Sequence, residues 1–465
     1  MKPAARLEAL PYCRDTGPLA SRLAERPWFM FLDSCRQATS SGRYDILACD
    51  PRTVIITRGD ETEIHHDGRV ARSSNDPFKL VEEALAELGA AQAGQLPFAG
   101  GALGFFAYDL GRRLEQLPVL ATRDLGTPDM VVGIYAHAVV VDHDAEACWL
   151  VSHPAARDEP DFLRRACLAQ EPLTPAAFGT RFEVTSQVKP EMDFATYADA
   201  WRRIKRFLAE GDVYQVNLTQ RFSADVRGDA WDAYQRLRHV NPAPFSAYIK
   251  LPEGAILSSS PERFVRVHGD EVETRPIKGT RRRSEDRTED ARLAAELAAS
   301  AKDRAENVMI VDLLRNDLGK VCAVGSVRVP RLFAIETYAR VHHLVSTVCG
   351  KLAPGVSAAA VLRACFPGGS ITGAPKIRAM EIIEALEPNR RGVYCGAIGY
   401  LSCDGGMDTN IAIRTLVQDG SRLYCWAGGG IVMDSELEAE YQECLTKAAA
   451  MLEVFADAEI PGLGR

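Results

Sequence analysis

Four short runs follow one another between residues 246 and 277: SAYIKL (246–251), AILSSS (255–260), RFVRV (263–267) and EVETRPI (271–277). Each is rich in β-branched or aromatic residues and is bounded by Pro, Gly or Asp, so each reads as a strand. Further runs read as buried strands at 28–32 (WFMFL), 53–57 (TVIIT) and 131–141 (VVGIYAHAVVV). Apolar residues return every three or four positions over 78–88, which predicts a helix. A second helix is expected over 194–208, with Gly211 as its C-cap, and helix is expected to dominate 287–318.

A chain of 465 residues can form two or three average domains, or one large interlocked body. The stretch 153–189, rich in charge, Pro and Ala, reads as a connection between an N-terminal β-rich part (1–152) and a larger C-terminal part (190–455). The net charge of −8 argues against a general binder of nucleic acid or anionic membranes. The twelve cysteines form no CxxC pair, and the closest two, Cys395 and Cys403, are eight apart. That spacing suggests neither a zinc site nor a disulfide framework, and reduced thiols in a cytoplasmic protein are expected. The N-terminus has no apolar core of a secretory signal, and the run at 130–141 is too short to span a bilayer.

Four stretches carry candidate chemistry. SSPERF (259–264) and PIKGT (276–280) can be adjacent strands of a hairpin, which would set Glu262 near Lys278. A carboxylate and a lysine at one site can share acid–base work. The alternatives are a structural ion pair and, for Lys278, one more cation in a basic surface run ending in RRR. Asp303 and Glu306 share one helical face, as do Glu440, Glu443 and Lys447. Two helices that each offer two carboxylates can build a site for a hard cation, and magnesium suits it; either helix alone is more often a solvated acidic face. Two glycine-rich stretches, PGGSITGAPK (367–376) and AGGG (427–430), can bring backbone amides close to an anion, or simply form tight turns. The first has Walker A glycine spacing but Ala374 where that loop needs lysine, so it is not a P-loop.

Taken in order, SSPERF, RPIKGT, AENVMIVDLLRND, HHLVS, GGSITGAPK, YCGAIGYL, TNIAIRTL and AGGGIVMDSELEAEYQE resemble the chorismate-utilising enzymes over residues 190–455. LDS (32–34) and RYD (43–45) extend the likeness into the N-terminal part. The resemblance implies an α+β fold of two antiparallel β-rich layers packed as a sandwich with helices outside, the two parts interlocked. Within the family, members that make anthranilate carry PIAGT. PIKGT is similar to the branch that aminates chorismate at C4 to give aminodeoxychorismate, on the route to 4-aminobenzoate and folate.

That resemblance implies roles by residue. Lys278 would be the nucleophile at C2 of the ring and Glu262 the general acid and base. Burial and nearby cations such as Arg275 or Lys376 would lower the lysine pKa. Mg2+ would be held by Glu306 and Glu443, supported by Asp303 and Glu440. Arg414 and Tyr394 would hold the enolpyruvyl carboxylate, while Gly279, Thr280, Gly428, Gly429, Gly430 and Lys447 would line the rest. His343 and Thr372 would lie near the ring. Ser34, Ser41, Gly42, Arg43, Tyr44, Pro244, Phe245 and Ser246 fall where related proteins hold a tryptophan. No Gly-x-Cys-x-Gly nucleophile elbow is present, so ammonia would come from solution or from a separate glutamine amidotransferase subunit. A fused lyase is not expected either. The rival readings are an anthranilate-forming enzyme, an isochorismate- or salicylate-forming enzyme, and a non-catalytic protein that binds tryptophan or docks an amidotransferase.

Overall fold

The computed structural model describes residues 2–36, 42–169, 181–338 and 341–452. Among these, strands form two sheets, of thirteen and twelve strands, and every ladder within them is antiparallel. The fold is α+β, with the two sheets packed over a shared core. Met30, Ile46, Ala247 and Ile249 enter that core from one sheet, and Ile55, Leu103, Phe105 and Val132 from the other. Helices Ala230–Val240 and Leu437–Leu452 cover the thirteen-stranded sheet with Trp231, Leu237, Leu445 and Ala448. Helix Pro77–Leu88 packs on the twelve-stranded sheet.

Local chemistry explains most element ends. The helix Phe194–Glu210 starts where the Asp193 side chain accepts from the Thr196 N–H, and stops at Gly211, whose φ of +81° is left-handed. The expected helix over 287–318 is two helices, Arg287–Ala299 and Ala301–Gly319. Ser300 leaves the helical conformation between them, and its hydroxyl caps the second by accepting from the Asp303 N–H.

Three of the four clustered runs are strands close to the expected limits: Phe245–Leu251, Gly254–Ser260 and Arg263–His268. The fourth divides into Glu271–Thr274 and Ile277–Arg282, because Pro276 has no N–H for the ladder. Both pieces still pair with one long strand, Val341–Lys351. The run 131–141 also divides. Met130–Tyr135 belongs to the twelve-stranded sheet and His137–Asp142 to the thirteen-stranded one, so the chain crosses between layers at Ala136. Both halves are buried, so apolarity alone marked no boundary. Within 153–189 the structure holds a helix, Asp161–Leu168, and two short strands on Gln215–Arg227. Each sheet draws strands from both before and after that stretch. All twelve cysteines are free thiols, and among the described residues no helix is long and apolar enough to cross a membrane.

Candidate active site

Lys278 lies in a strand whose pairing with Val341–Lys351 slips between Ile277 and Thr280. Such a bulge re-aims the side chain it carries. Gly279 makes it possible: its φ is +85°, and a Cβ there would come within 2.8 Å of Asp303 Cγ and of Leu297 Cδ1. The turn after the lysine therefore packs directly against the helix that carries the first acidic pair.

The Lys278 side chain keeps some solvent contact but is ringed by protein. Its Nζ donates to the Ser370 carbonyl at 3.3 Å. Desolvation pulls its pKa below the ordinary lysine value. Glu306, Glu262 and Glu443 oppose that shift, and Lys447 adds to it. The cations expected to do this are engaged elsewhere: Arg275 pairs with Glu336, and Lys376 with Asp317 at 2.6 Å.

Glu262 immediately precedes the strand Arg263–His268, which hairpins onto Glu271–Thr274, and its carboxylate accepts from the Ile277 backbone N–H. It is 5% exposed. Burial pushes its carboxyl up to about 7, although the Ser370 hydroxyl, Lys278 and the Ile277 backbone all favour the ionised form. A base with a lowered pKa and an acid with a raised one thus share a cleft, a pattern typical of proton-transfer sites.

The acidic wall comes from two helices. On Ala301–Gly319, Glu306 is half-buried and makes no hydrogen bond or ion pair among the described residues. Burial, together with Asp303 and Glu440, raises its pKa against Lys278 and Lys302. On Leu437–Leu452, Glu440 accepts from the Ser435 hydroxyl at 2.7 Å and stands 3.7 Å from Lys302 Nζ. Glu443 pairs with Lys447 at 2.8 Å; despite desolvation, Lys447, Lys302 and Lys278 hold its pKa below the carboxylate norm. Asp303 pairs with Arg281 at 3.3 Å. No group of three or more potential ligands converges tightly enough to hold a metal ion by itself among the described residues. Mg2+ needs only one or two carboxylates when substrate and water complete its shell, and the unpaired Glu306 carboxylate leaves negative charge to be neutralised there.

Arg414 and His343 form a second part of the site, where no carboxylate among the described residues acts on the guanidinium. Arg414, φ +49°, makes no hydrogen bond or ion pair among the described residues, and desolvation lowers its pKa. Burial, and then Arg414, push His343 down to about 3, so its imidazole is neutral, and its Nδ1 hydrogen-bonds Thr280 Oγ1 at 2.9 Å. Gly428, Gly429 and Gly430 are half-exposed, whereas Leu423 to Ala427 before them and Ile431 after them are buried. A Cβ at Gly430 would strike Gln215 Nε2 at 2.6 Å, and one at Gly429 would lie 3.1 Å from Glu440 Oε2. Lys447 also donates to the Gly428 carbonyl at 2.9 Å. Tyr394 is buried and stacked on Trp426 at 5.9 Å. Thr372 is fully buried, its hydroxyl donating to Gly368 and Gly369.

Sequence reasoning missed Ser370, Lys302, Asn217 and Arg391. The last had one visible signal, the four-residue spacing from Glu387, with which Arg391 forms a buried ion pair at 2.6 Å.

A second cluster gathers the residues matched to a tryptophan pocket. Ser246 pairs with Asp33 in the sheet and lies 3.5 Å from Cys35 Sγ. Ser34 donates to Asp45 at 2.7 Å, and Arg43 pairs with Asp142 at 2.7 Å with its guanidinium over the Tyr44 ring. Gly42 and Pro244 are buried; Arg263 covers the Phe245 ring at 5.1 Å. Ser41 lies outside the described residues.

Comparison with known proteins identifies the family. The family described as chorismate binding enzyme matches residues 29–453. Aminodeoxychorismate synthase component 1 of Klebsiella aerogenes is 50% identical over 93% of this chain and 94% of its own length. The protein of that name from Escherichia coli is 48% identical over the same shares. The crystal structure of anthranilate synthase component I from Streptococcus pneumoniae superposes with a TM-score of 0.79 at 35% identity, covering 88% of this chain and 92% of that one.

Proposed function

The chain is an enzyme of the chorismate-binding family, and from that membership we propose that it aminates chorismate at C4, giving 4-amino-4-deoxychorismate for 4-aminobenzoate and folate synthesis. Ammonia would be supplied by a separate glutamine amidotransferase subunit. The observation that carries this reading is the pairing of Lys278, its pKa lowered, with Glu262, its pKa raised to about 7.

Only a neutral amine attacks carbon. At the ordinary lysine pKa, about one side chain in 2,500 is neutral at pH 7, so the downward shift at Lys278 directly raises the reactive fraction. Lys278 adds to ring carbon C2, the ring double bonds shift, and the C4–oxygen bond breaks. Protonated Glu262 gives its proton to the departing hydroxyl, which leaves as water. Ammonia then adds at C4, the double bonds shift back, and Lys278 leaves C2 as an amine. The Glu262 carboxylate takes the proton that ammonia sheds, which restores the acid. Two successive displacements retain the configuration at C4.

Arg414 would take the enolpyruvyl carboxylate in a bidentate fork, and neutral His343 with Thr280 would contact the substrate without competing for that anion. Glu306 and Glu443 would hold Mg2+, which when bound supplies charge neutralisation for the ring carboxylate. Asp303 and Glu440 would support them. The Ser34–Ser246 cluster would hold a tryptophan.

The deciding experiment incubates the purified chain with chorismate, magnesium and ammonium at mildly alkaline pH. A product that an aminodeoxychorismate lyase converts to 4-aminobenzoate, absent in Lys278→Ala, supports the reading. Anthranilate, isochorismate or salicylate as the main product would refute it.

A further inference from the structure

Gly369–Ile371 is a single 3-10 turn, too short to satisfy its own carbonyl groups. The carbonyls of Ser370, Ile371 and Thr372 each find a donor from outside. Ser370 O accepts from Asn217 Nδ2 at 3.0 Å as well as from Lys278 Nζ at 3.3 Å. Ile371 O accepts from Arg391 Nη1 at 2.8 Å. Thr372 O accepts from the Asn217 backbone N–H at 2.9 Å.

The two donor residues are themselves joined. Arg391 Nη2 donates to the Asn217 carbonyl at 2.8 Å, and Glu387 grips the guanidinium through Nε at 2.8 Å and Nη2 at 2.6 Å. Glu387 Oε1 also accepts from both the N–H and the hydroxyl of Thr219 at 2.9 Å. Arg391 is 1% exposed and Asn217 6%. A buried ion pair adds little net stability once its desolvation is counted. What this one does is fix direction: it locks the 370–372 turn to the strand that also backs Gly428–Gly430.

Direction matters at Lys278. A neutral amine has two N–H bonds and one lone pair. A carbonyl that takes one N–H restricts where the lone pair can point. Asn217 donates to the same carbonyl oxygen and so restrains the C=O vector. We propose that Asn217 and Arg391 are positioning residues for the amination: they aim the Ser370 carbonyl, which holds one N–H of Lys278 so that the lone pair faces the cleft. The proposal rests on the reading of Lys278 as the nucleophile.

The test uses Asn217→Ala and Arg391→Lys in the full chain. The first removes the side-chain donor but keeps the backbone bonds. The second keeps the charge but has one nitrogen for two carbonyls. In ammonium-dependent turnover, Asn217→Ala is expected to lose kcat by about tenfold, the scale of a misaligned nucleophile, with KM for chorismate and melting temperature little changed. Trinitrobenzenesulfonate should modify Lys278 faster in the variant, read by peptide mass, because the amine is no longer held. Arg391→Lys, if folded, should show the same split. Unchanged kcat with an unchanged labelling rate in Asn217→Ala would overturn the proposal. So would losses in kcat, KM and melting temperature together, which mark a general packing role. Lys278→Ala that still aminates would instead remove the nucleophile reading, and the labelling rates would then decide the positioning on their own.

Discussion

Lys447 Nζ stands 2.8 Å from Glu443 Oε1, one helical turn away, on the wall that faces Lys278. One cation thus serves two neighbours: it steadies Glu443 and pushes the Lys278 pKa down. Replacing it with glutamine removes a cause that lowers the Lys278 pKa, so that pKa rises. The neutral amine then appears at higher pH. Lys447→Gln is expected to lose activity several-fold at pH 7 and to regain part of it as pH rises, read from the basic displacement of the rising limb of kcat against pH. A limb that stays in place would show that Lys447 does not tune the amine.

Glu262 should leave a mark on both activity and stability. As an acid it must be protonated, so kcat should fall as pH rises through about 7. Its folded pKa lies above the ordinary 4.5, so between those values the folded chain holds a proton that the unfolded chain releases. Stability contributed by that proton is present below about 4.5 and is lost as pH rises to about 7. Glu262→Gln removes this loss. It is expected to be inactive yet more stable at pH 8, by at most about 3 kcal/mol, with the gain vanishing near pH 4.5. Urea unfolding at the two pH values measures it.

The unpaired Glu306 carboxylate predicts a ranking among the acidic residues. Glu306→Gln should weaken Mg2+ binding, measured by calorimetry with chorismate present, by about a hundredfold or more. Glu440, whose Oε1 already engages Ser435 and Lys302, should cost about tenfold when changed to Gln. Equal losses would place Glu440 on the same footing as Glu306.

Arg414 has no partner to lose among the described residues, so its replacement should act on substrate alone. Arg414→Lys keeps the charge but not the planar fork, and KM for chorismate should rise by about tenfold or more with an unchanged melting temperature. A KM within twofold of wild type would remove it from substrate recognition.

What the sequence shows and what it hides divide along a physical line. Spacing along one element was readable: Asp303 with Glu306, and Glu440 with Glu443 and Lys447, share faces as expected. Which charges remain free was not. Arg275 and Lys376 look as available as Lys447 until Glu336 and Asp317 are found against them. The glycine after Lys278 was visible, but its reason, the close approach of Leu297 and Asp303, comes from two later helices, Arg287–Ala299 and Ala301–Gly319. Arg391 was missed because nothing in EPNRRG reveals that its donors reach the carbonyls of Ile371 and Asn217. The break at Ala136 was hidden for a different reason: strands buried in either layer have the same composition, so a crossing between layers leaves no change of polarity.

That crossing has a consequence for the gene. The strands that flank Ala136 are stitched into different layers, and each layer is completed only by strands encoded after residue 190. A cut within 153–189 would therefore yield two pieces that each carry open strand edges in both layers, and neither could be exchanged as a cassette with its counterpart from another enzyme without matching both seams at once.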